Sequence, residues 1–248
     1  MKLPTQDTVG QLDPVLAEMA AATYRLIRAA PQLTPRESAL LSLVADVCEQ
    51  TLGMPFEMHV RAALDVGVDA DDLRELLRFI SYDSGYPAAL AALERLAEIE
   101  RVHGLPGPTG QGHRVDADGT GSPLPMAMRA EVRALDPDFA DYMDLQSRMR
   151  ADMSRISVRE RAFATMTVDV LYQTLQESFR AHVGRALGAG ATPDEVRAAV
   201  RATAPFGMTR AWRALHVLDA LLAEHERPRT ERPHAERAQA EQQAQPQA

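Results

Sequence analysis

Nowhere along the chain do β-branched and polar residues alternate as a half-buried strand requires, so no strand is expected. Helix starts, by contrast, are marked repeatedly. Asp13-Pro14 and Asp136-Pro137 each place a capping carboxylate before a proline at the first helical position. Thr34-Pro35-Arg36-Glu37 and Ser157-Val158-Arg159-Glu160 are capping boxes, a hydroxyl followed three residues later by Glu. Thr192 to Glu195 is a third, and Asp69 to Asp72 its weaker partner. Gly67 and Gly190 stand where a helix should stop in the left-handed conformation. These signals predict helices beginning near 14, 35, 70 and 87, with a further one carrying His59. A second set begins near 137, 158, 193 and 209, with one carrying His182.

The two sets are one unit repeated. Shifted by 123 positions, residues 12–99 fall on 135–222 without a gap, with about 25 of 88 positions identical. Asp46-Val47 falls on Asp169-Val170, Gln50-Thr51-Leu52 on Gln173-Thr174-Leu175, and His59-Val60 on His182-Val183. The expected organisation is a first unit over 12–103, a linker or lid over 104–125, a second unit over 126–225 and a disordered tail over 226–248. The linker is rich in Gly and Pro, and the tail has almost no large apolar residue. Asp116, Asp118 and Gly119 hint at a calcium loop, but Arg114 and Pro125 occupy its first and last ligand positions.

Composition narrows the function classes. A length of 248 residues admits one or two domains, and a net charge of −8 without a basic stripe argues against nucleic-acid binding. One cysteine, Cys48, excludes a disulfide framework and a CxxC redox pair. No charge-free run reaches membrane-spanning length and the N-terminus lacks an apolar leader, so a cytoplasmic protein is expected. The seven histidines are scattered, and no metal site is expected.

Leu33 to Glu37, His59-Val60, Ala63-Leu64, Gly67-Val68 and Gly85-Tyr86-Pro87-Ala88-Ala89 together resemble the carboxymuconolactone decarboxylase family. That family shares its all-α fold with the AhpD-type alkylhydroperoxidases. The second unit keeps the opening, His182 and Gly190, but its closing segment has lost the proline and moved the glycine by one. The resemblance implies an all-α, AhpD-like fold of two tandem units, and a homo-oligomer for which three chains would suit. It also implies sites between helices and a reaction without cofactors. The peroxidase branch needs cysteines where this chain has Leu52 and Pro55, or Leu175 and Ser178, so that chemistry is disfavoured.

The decarboxylase branch leaves a chemistry of proton delivery. Loss of CO2 from an unsaturated lactone acid leaves an electron pair that the conjugated carbonyl accepts, and a positioned acid then protonates carbon. Imidazole suits the task because its ordinary pKa, roughly 6.5, lies near neutrality. His59 and His182 are the candidate catalytic residues. Tyr82 and Tyr86, flanking Gly85, and Asp46 with Gln50, four apart on a helix, are candidate substrate-binding groups for a small cyclic acid or lactone. Blander readings stand beside these. Asp46 and Gln50 could simply steady their helix. Glu57 sits off the His59 face, and Arg36-Glu37 and Arg159-Glu160 read as capping and surface charge. Trp212 and His216 read as packing, and Cys48, whose repeat partner is Leu171, as a small buried hydrophobe. A non-catalytic binding or scaffold protein is the alternative to a lyase.

Overall fold

The computed structural model describes residues 3–28, 31–109, 115–120 and 123–226. The tail beyond 226 lies outside them, as do 110–114, 121 and 122 of the 104–125 segment. Among the described residues the chain is all-α, with no strand. The first repeat forms α1 (Gln6–Leu12), α2 (Pro14–Arg28), α3 (Pro35–Glu49), α4 (Met54–Asp65), α5 (Ala70–Ser84) and α6 (Tyr86–His103). The second forms α7 (Met126–Leu135), α8 (Pro137–Met149), α9 (Val158–Tyr172), α10 (Glu177–Gly188), α11 (Pro193–Ala202) and α12 (Met208–Glu226). A 3-10 turn, Ala204–Phe206, precedes α12. The two repeats of the predicted AhpD-like unit are therefore present helix for helix. The short α1 and α7 lie ahead of the first expected starts.

By compactness the described residues divide into two parts, those within 1–112 and 155–219, and those within 113–154 and 220–226. The first holds the core. Its centre is the pair α3 and α9, which pack on each other. Both are apolar on nearly every face, and Ala39–Cys48 and Ala162–Leu171 are buried almost without interruption. Every other side of this pair is therefore covered: α4 and α6 pack on α3, and α10 on α9. The fifth helix of each repeat also packs on the central helix of the other, α5 on α9 and α11 on α3. Phe56 and Phe179, a repeat pair, are fully buried beneath this arrangement. Truncating either to Ala would cost about 3–5 kcal/mol. In the second part α7 packs on α8, and Arg129 Nε donates to the buried Asp144 at 2.6 Å.

The capping boxes do more than cap. Glu37 accepts from the Thr34 N–H at 2.8 Å and Glu160 from the Ser157 N–H at 2.8 Å, as the sequence predicts. Each also accepts from the other repeat. Arg36 Nε donates to Glu160 at 2.7 Å and Arg159 Nε to Glu37 at 2.7 Å. The same arginines reach Asp72 and Glu195, themselves repeat partners, at 2.8 Å each. The reading of Arg36, Glu37, Arg159 and Glu160 as surface charge is thus corrected. Packing α3 against α9 brings the two helix N-termini together, and the charges close a two-fold network there, with Glu37 buried.

Candidate functional site

α3 ends at Gln50 in the left-handed conformation (φ 55°, ψ 32°), and its repeat partner Gln173 ends α9 the same way (φ 60°, ψ 30°). The chain then reverses through a short turn into the next helix. That reversal returns His59, on α4, to Asp46, on α3. The carboxylate of Asp46 accepts from His59 Nδ1 at 2.6 Å and from Thr51 Oγ1 at 2.8 Å. The second repeat reproduces the set, with Asp169 accepting from His182 Nδ1 at 2.6 Å and from Thr174 Oγ1 at 2.6 Å. Both aspartates are buried, and each keeps its carboxylate hydrogen-bonded at both oxygens. A carboxylate on Nδ1 fixes the tautomer and ring orientation, leaving Nε2 to face outward.

His59 Nε2 faces Tyr24 Oη on α2, at 3.4 Å. The edge of the Tyr24 ring and the Phe206 ring flank the imidazole, with centroids 6.2 and 5.9 Å away. His59 and Tyr24 together form part of the wall of two cavities. The inner one, about 390 Å³, is lined by Ser38, Ser42, Ala202 and Pro205 among others. The outer one, about 930 Å³, is bounded by Val9, Leu12, Met54, Met58, Arg25 and Arg61. Both volumes fall in the ordinary range of small-molecule sites, and both are mainly apolar with a few polar groups.

The other sequence candidates fall elsewhere. Gln50 does not share a helix face with Asp46, because it has left the helix. Its amide donates to Val47 O at 2.6 Å, as that of Gln173 does to Val170 O at 2.6 Å. Tyr86 opens α6 half exposed, and Tyr82 is half-buried on α5. Neither lines the two cavities at His59. Glu57 pairs with Arg95 instead of His59. Cys48 is buried; burial pushes its thiol up to about 12, with a hydrogen bond from Tyr172 opposing. Trp212 and His216 pack with tilted rings, centroids 5.7 Å apart. Among the described residues no group of three or more His, Cys, Asp or Glu could hold a metal ion, and no helix is long and apolar enough to cross a membrane.

Sequence reasoning missed Tyr24 and the two threonines. The threonines carried a signal, since Thr51 and Thr174 repeat beside the glutamines. Tyr24 carried none, because its repeat partner is Ser147.

The chain matches the model of the Carboxymuconolactone decarboxylase family over residues 10–98 and again over 138–220. Its fold is similar to that of a protein from Burkholderia xenovorans LB400, provisionally described as a gamma-carboxymuconolactone decarboxylase subunit. The two are 20% identical with a TM-score of 0.51, covering 90% of this chain and 93% of that one, a likeness that carries the fold. No curated protein matches the chain.

Proposed function

Because the chain belongs to the carboxymuconolactone decarboxylase family, we propose that it is a cofactor-independent carboxy-lyase acting on a small cyclic carboxylic acid or lactone. His59 is its proton donor. The observation that supports this reading is the Asp46–His59 pair, whose imidazole lies with Tyr24 in the wall of a cavity of about 390 Å³. With Nδ1–H held by the Asp46 carboxylate, an incoming proton resides on Nε2, the nitrogen that meets the ligand. The substrate's C–C bond to its carboxylate breaks and CO2 leaves. The electron pair moves into the conjugated carbonyl as an enolate. His59 Nε2–H then transfers its proton to carbon and regains one from solvent. In the interval before Nε2 regains its proton, Tyr24 Oη donates to it. Arg25 and Arg61, at the outer cavity, are the cations available to a substrate carboxylate there.

The test is loss of ultraviolet absorbance and release of CO2 from a panel of unsaturated lactone acids. General acid catalysis contributes about 10²–10⁴-fold, so His59→Gln should lose that much in kcat with the fold intact. Retained turnover in that variant would sink the reading. If no acid on the panel is turned over but several raise the melting temperature of the wild type alone, the protein is a binding member of the family instead.

The same reading includes a homo-oligomer, three chains fitting best. Supporting it, α2 exposes Leu16, Met19 and Leu26, and α8 exposes Phe139 and Tyr142, the repeat partners of Leu16 and Met19. Large exposed apolar faces of this kind mark protein contacts. Light scattering should give a multiple of the chain mass, and Leu16→Glu should reduce it.

A further inference from the structure

The outer cavity beside His59 has a wall that a small lactone acid alone does not use. It lies between the α1–α2 hairpin and α4, and at about 930 Å³ it is more than twice the inner cavity. Tyr24, His59, Ala62 and Asp65 line both, so the two spaces meet at the imidazole. Away from that junction the outer wall is chiefly apolar, with Val9 on α1, Ala21 on α2, and Met54 and Met58 on α4. Methionine side chains adapt to apolar ligands of irregular shape. A bare ring seated at His59 would leave this wall against water, which is unfavourable.

The second repeat shows that the fold does not require such a wall. Shifted by 123 positions, Gln6 and Ala21 fall on Arg129 and Asp144. There an ion pair ties α7 to α8, with Arg129 Nε donating to Asp144 at 2.6 Å. In the first repeat Gln6 ties α1 to α2 instead, its amide donating to Ala17 O at 2.6 Å. Ala21 then presents a methyl group where the other repeat has a carboxylate, and both Gln6 and Ala21 line the cavity. The hairpin is held and its wall is left without that charge pair.

We propose that the ligand handled at His59 is an amphipathic acid, whose apolar substituent, an alkyl or aryl group of about four carbons or more, occupies the outer cavity. This names the substrate class of the proposed lyase and rests on that reading of His59. Arg61 already donates to Leu3 O at 3.2 Å and lies 3.8 Å from Asp65. Arg25, exposed on α2, is therefore the cation for the carboxylate at the same cavity. A ring at His59 sends both its carboxylate and its substituent toward the outer cavity, so the two leave the ring on one side.

The probes are benzoate, 3-ethylbenzoate and 3-butylbenzoate, titrated calorimetrically into the full chain. Burial of each added carbon should tighten binding about twofold to fourfold, so the butyl compound should bind about tenfold or more tighter than benzoate. The quantity read in each variant is that ratio. Met58→Gln makes the wall polar, and Gln6→Arg with Ala21→Asp imports the ion pair of the second repeat. Each should cut the ratio to about threefold or less. A ratio near one in the wild type would overturn the proposal, as would an undiminished ratio in both folded variants or no binding of 3-butylbenzoate at millimolar concentration. Binding needs no turnover, so the two readings fail separately. A wild type that decarboxylates a small lactone acid but gains nothing from the butyl group keeps the lyase and loses the subsite. A gain that the variants abolish, with no acid turned over, keeps the subsite as part of a binding site and sinks the lyase.

Discussion

His59 and His182 hold the same register, the same carboxylate partner and the same distance to it, so what separates them lies one shell out. Tyr24 stands where the second repeat has Ser147, and Ser38 where it has Arg161. Asp46 was legible as a repeated residue, but its use was not. Thirteen positions separate it from His59, and only the left-handed turn at Gln50 brings them together. Removing that carboxylate tests its role directly. Asp46→Asn should leave His59 in place yet free the ring to adopt the other tautomer. The expected outcome is a lower kcat and an altered pH–rate profile, with KM little changed. A variant with the wild-type profile would mean that Asp46 only packs. Cys48 is the other residue whose chemistry is set by its surroundings. With its thiol pushed up to about 12, chiefly by burial, the thiolate is about one part in ten thousand at pH 8. Native protein should therefore label with a disulfide reagent far more slowly than urea-unfolded protein. Equal rates would show that the thiol is neither buried nor suppressed.

At the scale of the helix, starts were easier to read than ends. A cap is local chemistry, and Thr34, Asp69, Ser157 and Thr192 all accept the expected N–H of the residue three on. The ends of α3 and α9 were opaque because Gln is not a residue that signals a left-handed stop. Its side chain explains the choice, since Gln50 and Gln173 each donate back to a carbonyl of the last turn. Two effects of similar size oppose each other there. A left-handed non-glycine residue costs about 1 kcal/mol, and the side-chain hydrogen bond returns about 1 kcal/mol. Gln50→Ala keeps the strain and loses the bond, so it should destabilise by about 1 kcal/mol. Gln50→Gly loses both and should stay within about 0.5 kcal/mol of wild type. Urea denaturation of the three proteins decides it. If the Ala and Gly variants are equally unstable, the side-chain bond alone maintains the turn. The site's apolar walls were illegible for a related reason. Ala202, Pro205 and Phe206 come from the other repeat, and no local pattern announces a neighbour more than a hundred residues away.

Across the whole molecule the repeats are tied by charge where their central helices begin, and that tie has a pH signature. Arg159 spans from Glu37 of the first repeat to Glu195 of the second. Its hydrogen bond, together with the Thr192 N–H, holds the Glu195 carboxyl down to about 2. A carboxyl in the unfolded chain titrates at about 4.3. The folded state thus gains from Glu195 at all pH values above that, and the gain drains away as pH falls toward about 2. Arg159→Gln removes the cause of the depression. The variant should melt below wild type at pH 7, where the whole contribution is present. At pH 3 much of it is already gone from wild type, so the gap between the two melting temperatures should narrow. Salt should narrow it less than it would for a surface pair, because Glu37 is buried against the same guanidinium. A gap of the same size at pH 7 and pH 3 would mean that Arg159 acts by packing against Phe163, over whose ring it lies at 5.1 Å, and not through the charges that join the repeats.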